Sequence, residues 1–150
     1  MRLVIQRVSE ASVSIKGEIF SSIGKGVLIL VGVENGDEDA DAEWLAAKTA
    51  NMRIFPDHEG VMNLSLKETG GEALAVSQFT LTASTKKGNR PSYIRAAGHE
   101  LAIHLYNKFC ESLSLLLDKK VEKGVFGADM QVALVNDGPV TIIIDSRLKE

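Results

Sequence analysis

The sequence predicts an α+β fold: a mostly antiparallel, mixed β-sheet in a barrel-like roll, with two principal helices packed on it. Three observations predict it. Short apolar or alternating segments cluster toward both ends of the chain, two longer segments read as helices, and strand-helix-strand units are too few for a doubly wound sheet. The 150 residues suit one domain, because a second core would leave each half small and marginal.

The elements follow in order. Residues 3–8, 12–15 and 18–20 alternate as strands, with Lys16-Gly17 breaking the last two as a hairpin does. The run at 26–33 is apolar at nearly every position, which predicts a strand buried on both faces or at a subunit contact. Asn35-Gly36-Asp37 is a turn, and the carboxylates after it suit the first turn of a helix over about 39–52. Pro56, Gly60 and Gly70-Gly71 mark 55–71 as a loop, and 73–81 is β-branched and apolar enough for a strand. Leu101, Leu105, Phe109, Leu113 and Leu116 form one stripe of a second helix, roughly 97–117. Strands at 130–135 and 140–144 flank Asn-Asp-Gly-Pro, a hairpin signal.

Composition narrows the function classes. Apolar residues at 45% and charged residues at 25% are ordinary globular usage. The net charge of −3 gives no general attraction to nucleic acid or an anionic membrane. One cysteine excludes an intramolecular disulfide, and His58, His99 and His104 have no metal-ligand spacing, so neither metal nor cofactor is expected. These histidines read as surface residues, and Cys110 as a buried small hydrophobe. With no signal-peptide pattern and no long apolar run, a cytoplasmic protein is expected. There is no GxSxG elbow and no P-loop.

Three local features stand out. No acidic residue lies between Glu72 and Glu100, whereas Lys86, Lys87, Arg90 and Arg95 do, so the remaining 13 basic and 20 acidic residues carry −7. Such a cationic segment with Tyr93 interleaved suits a phosphodiester and a stackable base. A solvated loop is the alternative reading, against which stands its position directly after SQFTL. Within that motif, Ser77, Gln78 and Thr80 bring hydrogen-bonding groups to an apolar strand end, as structural anchors or as substrate contacts. On a strand, Ser77 and Phe79 would share one face and Gln78 and Thr80 the other. Thr80 is a nucleophile in principle, but no activating histidine, lysine or terminal amine lies near it in sequence. Gly138-Pro139 removes a ladder donor and permits a cis bond at modest cost, which would bring two backbone carbonyls together as a rigid acceptor pair.

The chain resembles the D-aminoacyl-tRNA deacylases of the bacterial and eukaryotic type, the D-Tyr-tRNA deacylase family. The resemblance rests on MRLVIQRV at the start, MNLSL at 62–66, SQFTL at 77–81, KKGNRPSY at 86–93, GVFGADM at 124–130 and NDGPVT at 136–141. It implies a homodimer with active sites at the interface. Gly138-Pro139 would then be a cis dipeptide reaching the partner's pocket beside Ser77, Gln78, Phe79 and Thr80, with Arg7 bracing it and Phe126 in the pocket. It also implies a tRNA carrying a D-amino acid as substrate, hydrolysis of the ester with help from the terminal 2′-hydroxyl, and rejection of L-aminoacyl-tRNA, with glycyl-tRNA also admitted. An aminoacyl ester is already activated, so a placed water and an oxyanion hole of backbone amides near Phe79 and Thr80 can suffice. The competing class is a non-catalytic nucleic-acid-binding module using Lys86, Lys87, Arg90 and Tyr93.

Overall fold

In the computed structural model, which describes residues 1–149, a single strand β1 runs from Arg2 to Ile15 where the sequence reading has two. The polar Ser9-Glu10 pair only bulges it, because its pairing continues on both sides. Lys16 and Gly17, at φ 51° and 80°, turn the chain into β2 (Glu18–Ile23). Then follow β3 (Gly26–Gly32), α1 (Asp39–Asn51), β4 (Phe55–Pro56), β5 (Met62–Leu64), the one-turn helix α2 (Leu66–Thr69) and β6 (Glu72–Ser77). A 3₁₀ turn (Phe79–Thr82), α3 (His99–Leu117), β7 (Glu122–Lys123) and β8 (Gln131–Asp145) complete the order. The expected loop at 55–71 thus holds a small hairpin and a helical turn. The latter is set by a capping box in which Ser65 and Glu68 satisfy each other's amides.

The sheet runs β2-β1-β3-β6-β7, with β8 on the other edge of β1. One edge of β1 takes β8 from Arg2↔Asp145 to Ser14↔Gln131. The opposite edge is divided, β3 pairing with residues 2–8 and β2 with residues 11–15. The β3–β6 and β6–β7 ladders are parallel and the others antiparallel, which makes the sheet mixed and rolls it into a nearly closed barrel.

The expected hairpin at 136–139 is not one. Its two flanking runs both pair with β1 in the same direction, not with each other. Between Val8↔Asn136 and Gln6↔Thr141 β1 advances two residues and β8 five, so three residues leave the ladder as a bulge. The expected strand at 73–81 ends at Ser77, where the 3₁₀ turn begins to form, and the second helix begins at His99 rather than Ala97.

Two cores result. Leu3, Ile5, Val27, Ile29 and Val31 face the helices, against Leu45 and Ala46 of α1 and Leu105, Phe109 and Leu113 of α3. Val8, Ala11, Val13, Leu28, Leu74 and Val76 close a second cluster on the other side of the sheet. β3 and β6 are therefore buried on both faces, as continuous apolar runs require. Leu105, Phe109 and Leu113 are wholly buried, and each contributes about 2–3 kcal/mol by leaving water.

Asp145 closes the ladder end. Its Oδ2 accepts from Arg2 Nε and Nη2 at 3.1 and 2.9 Å, and its Oδ1 from the Arg147 amide at 2.9 Å. Burial by itself would raise its pKa, but the Arg147 amide and Arg2 outweigh burial and hold the carboxyl below its ordinary value. A carboxyl lowered by folding stabilises the protein above its unfolded pKa and ceases to do so as pH falls through its folded value. The thermal-stability deficit of Asp145→Asn should therefore be present at about pH 7 and shrink below about pH 3. A deficit unchanged across that range in melting curves would contradict the assignment.

Candidate active site

The chain leaves the sheet at Ser77. The Gln78 amide still donates to Val31 O at 2.7 Å, but its φ of −144° and ψ of 81° bend the next residues into the 3₁₀ turn. Leu81 N donates to Gln78 O at 3.2 Å and Ala83 N to Thr80 O at 3.1 Å. The first two amides of such a turn, those of Phe79 and Thr80, have no acceptor within it. β3 comes so close that a Cβ on Gly32 would lie 2.9 Å from Leu81 Cβ and 3.2 Å from Gln78 O. Because the segment is a turn, the expected strand alternation fails, and Ser77, Gln78 and Phe79 all line one cleft.

That cleft, about 460 Å³, opens at the carboxyl ends of the parallel strands β3 and β6. Val31, Val33 and Val76 give it an apolar floor, and Phe126, Ala128 and Asp129 reach it from the segment before β8. The Phe126 ring lies 5.4 Å from His99 and 5.8 Å from Tyr106, whose hydroxyl donates to Ala75 O at 2.8 Å. Phe79, 58% exposed, stands at the rim with Tyr93 edge-on at 5.0 Å. Thr80 is not part of the lining; its Oγ1 accepts from Gln78 Nε2 at 2.5 Å.

Gly138, Pro139 and Arg7 are not brought to this cleft within the chain. Gly138 and Pro139 lie in the bulge of β8, where their peptide is cis and Gly138 has a φ of 135°. A Cβ on Gly138 would meet Val140 N at 2.9 Å and Arg7 Nη2 at 3.1 Å, so only glycine fits. Arg7, buried on β1, donates to Asp137 O at 3.0 Å and Ile54 O at 2.6 Å. Asn136 Nδ2 ties the base of the bulge by donating to Arg7 O and Val140 O, both at 3.0 Å.

The cationic segment separates into two uses. Ser84 and Ser92 exchange both backbone hydrogen bonds at 2.9 Å and close a loop on which Lys86, Lys87 and Arg90 are exposed. Arg95, also exposed, is instead engaged within the chain, donating from Nη2 to Thr82 O at 3.2 Å.

Sequence reasoning missed Tyr106 and Asp129 and read His99 as a surface residue; it is exposed, but within the cleft wall. Only the apolar i, i+7 step from His99 to Tyr106 on one helix could have suggested their shared face. His104 lies outside, 2.7 Å from Asp39, and His58 is exposed beside Glu59. Cys110 is buried, which pushes its thiol up to about 12 and leaves it unreactive. Among the described residues no three His, Cys, Asp or Glu side chains gather to hold a metal, and no helix is long and apolar enough to cross a membrane.

The family model described as D-Tyr-tRNA(Tyr) deacylase matches residues 4–145. Proteins named D-aminoacyl-tRNA deacylase from Porphyromonas gingivalis and Bacteroides thetaiotaomicron are 67% and 60% identical, each over the whole of both chains. A structure titled c-Myc DNA Unwinding Element Binding Protein superposes with a TM-score of 0.91 at 40% identity, over 97% of this chain and 98% of that one. A probable eukaryotic D-amino acid tRNA deacylase shares the fold, with a TM-score of 0.83 at 16% identity over 95% and 97% of the two chains. By a match across nearly its whole length, the chain belongs to the D-Tyr-tRNA(Tyr) deacylase family, a family of hydrolases.

Proposed function

We propose that the cleft hydrolyses the ester joining a D-amino acid to the 3′ end of tRNA, releasing free tRNA and the amino acid. The observation that carries the reading is the 3₁₀ turn, whose first two amides have no acceptor within it, with Ser77, Gln78 and Phe79 in the cleft wall. Water attacks the ester carbonyl, the tetrahedral oxyanion accepts from the Phe79 and Thr80 amides, and the ribose oxygen leaves with the proton. The substrate's neighbouring hydroxyl assists the water. Gln78 Nε2 is the donor on Thr80 Oγ1, and an amide N–H cannot take a proton, which argues against a covalent Thr80 step.

Chiral choice rests, in this reading, on a second chain. Gly138 and Pro139 lie outside their own cleft, on a strand whose far edge is unpaired among the described residues and which exposes Val135 and Ile143. In a homodimer their carbonyls would enter the partner's cleft beside Phe126, held by Arg7. They would accept from the substrate's α-amino group and fill the space of an L side chain. Glycyl-tRNA, having no side chain to reject, is admitted as well. Lys86, Lys87 and Arg90 contact phosphates and Tyr93 a base, and the reaction takes place in the cytoplasm without metal or cofactor.

A second reading, nucleic-acid binding without turnover, is favoured by the same exposed cations and by the name of the 40%-identical structure, which describes that protein as a DNA-element binder. Pure, chelator-treated protein should release D-tyrosine from D-tyrosyl-tRNA and spare L-tyrosyl-tRNA. Binding without turnover, or equal loss of both esters, would refute the deacylase reading. Thr80→Ala should keep kcat within about tenfold of wild type, whereas a loss of about a thousandfold would make Thr80 the nucleophile. Replacing Lys86, Lys87 and Arg90 with alanine should raise KM and flatten the salt dependence by about 2 in log-log slope, at unchanged kcat. An unaltered slope would remove these residues from the RNA contact. Finally, where Arg7→Ala and Gln78→Ala each abolish turnover alone, equal amounts refolded together should recover about a quarter of wild-type activity, since half the dimers are mixed and each then has one intact site. No recovery would mean that each chain supplies its own selector.

A further inference from the structure

The 3₁₀ turn has two ends, and only its amino end faces the chemistry. At its carboxyl end the carbonyls of Leu81 and Thr82 each accept from an arginine, Arg2 Nη1 at 3.1 Å and Arg95 Nη2 at 3.2 Å. Each arginine is anchored in turn. Arg2 pairs with Asp145 at 2.9 Å, and Arg95 Nη2 lies 3.7 Å from Glu34 Oε1.

The second anchor is the unusual one. Glu34 is 6% exposed, and its Oε1 is buried without a hydrogen-bond partner. Its other oxygen faces Arg147 at 3.5 Å, and Arg147 also pairs with the buried Asp37 at 3.0 Å. An unsatisfied buried carboxylate oxygen attracts the nearest cation strongly. The Arg95 backbone is held beside the segment that follows β3: Asn35 N donates to Arg95 O at 2.9 Å, and Ala97 N to Val33 O at 3.0 Å. The guanidinium is shared between Glu34 and the Thr82 carbonyl, a role for which its planar, many-donor head is suited and a lysine ammonium is not.

We infer that Arg95, with Arg2, is a positioning residue: the two arginines clamp the carboxyl end of the 3₁₀ turn and so set where the Phe79 and Thr80 amides stand. The turn is only four residues long, so fixing one end fixes the other. Arg95, although its side chain remains 47% exposed, thereby becomes part of the machinery's frame. The catalytic consequence rests on the deacylase reading above, whereas the clamp itself does not.

The test joins kinetics to amide exchange. In Arg95→Ala, kcat for D-tyrosyl-tRNA should fall by at least about tenfold with KM within about twofold, because a misplaced donor weakens the transition state and not the tRNA contact. The amides of Leu81 and Ala83, both bonded inside the turn, should exchange faster by a larger factor than the amides of the β1–β8 ladder, and Arg95→Lys should lie between the two. A rise in KM alone would make Arg95 a phosphate contact, and unchanged exchange at Leu81 and Ala83 would overturn the clamp. If wild type has no esterase activity, the deacylase reading fails while exchange still decides the clamp. Should Arg95→Ala not fold, Glu34→Gln provides the second variant: loss of its charge should release Arg95 and quicken the same two amides, and no change would overturn the coupling.

Discussion

The structure depends on both edges of β1 being filled. A strand of 14 residues with one partner along its full length on one side, and two partners end to end on the other, ties the chain's beginning to its end. That arrangement makes the sheet roll, because β2 and β3 share one edge of β1 and diverge beyond it. It also divides the strand between two cores, with Leu3 and Ile5 facing the helices and Val8, Ala11 and Val13 the second cluster. β8 changes sides in the same place: Val140, Ile142 and Ile144 pack with the first core, and Val132 and Leu134 with the second. The bulge at Gly138 marks this crossing.

From that frame the cleft follows. β3 and β6 are parallel, so their carboxyl ends open together, and the chain leaving β6 has to turn at once over Gly32. The 3₁₀ turn, the start of α3 and the 126–130 segment then surround a mostly apolar volume with few polar groups, as ligand sites commonly have.

Much of this was legible where the deciding forces are local. The stripe from Leu105 to Leu113 and the doubly apolar run of β3 fall where they were expected, because their burial is written in their own periodicity. What was not legible is decided by distant partners. Asn-Asp-Gly-Pro carries every local mark of a hairpin, yet both of its flanks are held by β1, more than a hundred residues away. Phe79-Thr80-Leu81 has strand composition, yet the close approach of Gly32 and two arginine anchors make it a turn. Arg95 counts as one more cation in a basic segment until the buried Glu34 beside it is known. Of the proposed site residues, Ser77, Gln78, Phe79 and Phe126 meet in one cleft, and motif proximity accounts for three of them.

The bulge of β8 also limits how this scaffold can vary. Side chains on a strand alternate with a period of two, so gaining or losing one residue between Asn136 and Thr141 would turn one half of β8 inside out relative to β1, or force the ladder to slip. Its length is therefore locked by two cores at once. The 84–92 loop has no such lock, being closed by a single bridge outside the sheet. Insertions can accumulate there without disturbing either core, while the β8 bulge stays the same size.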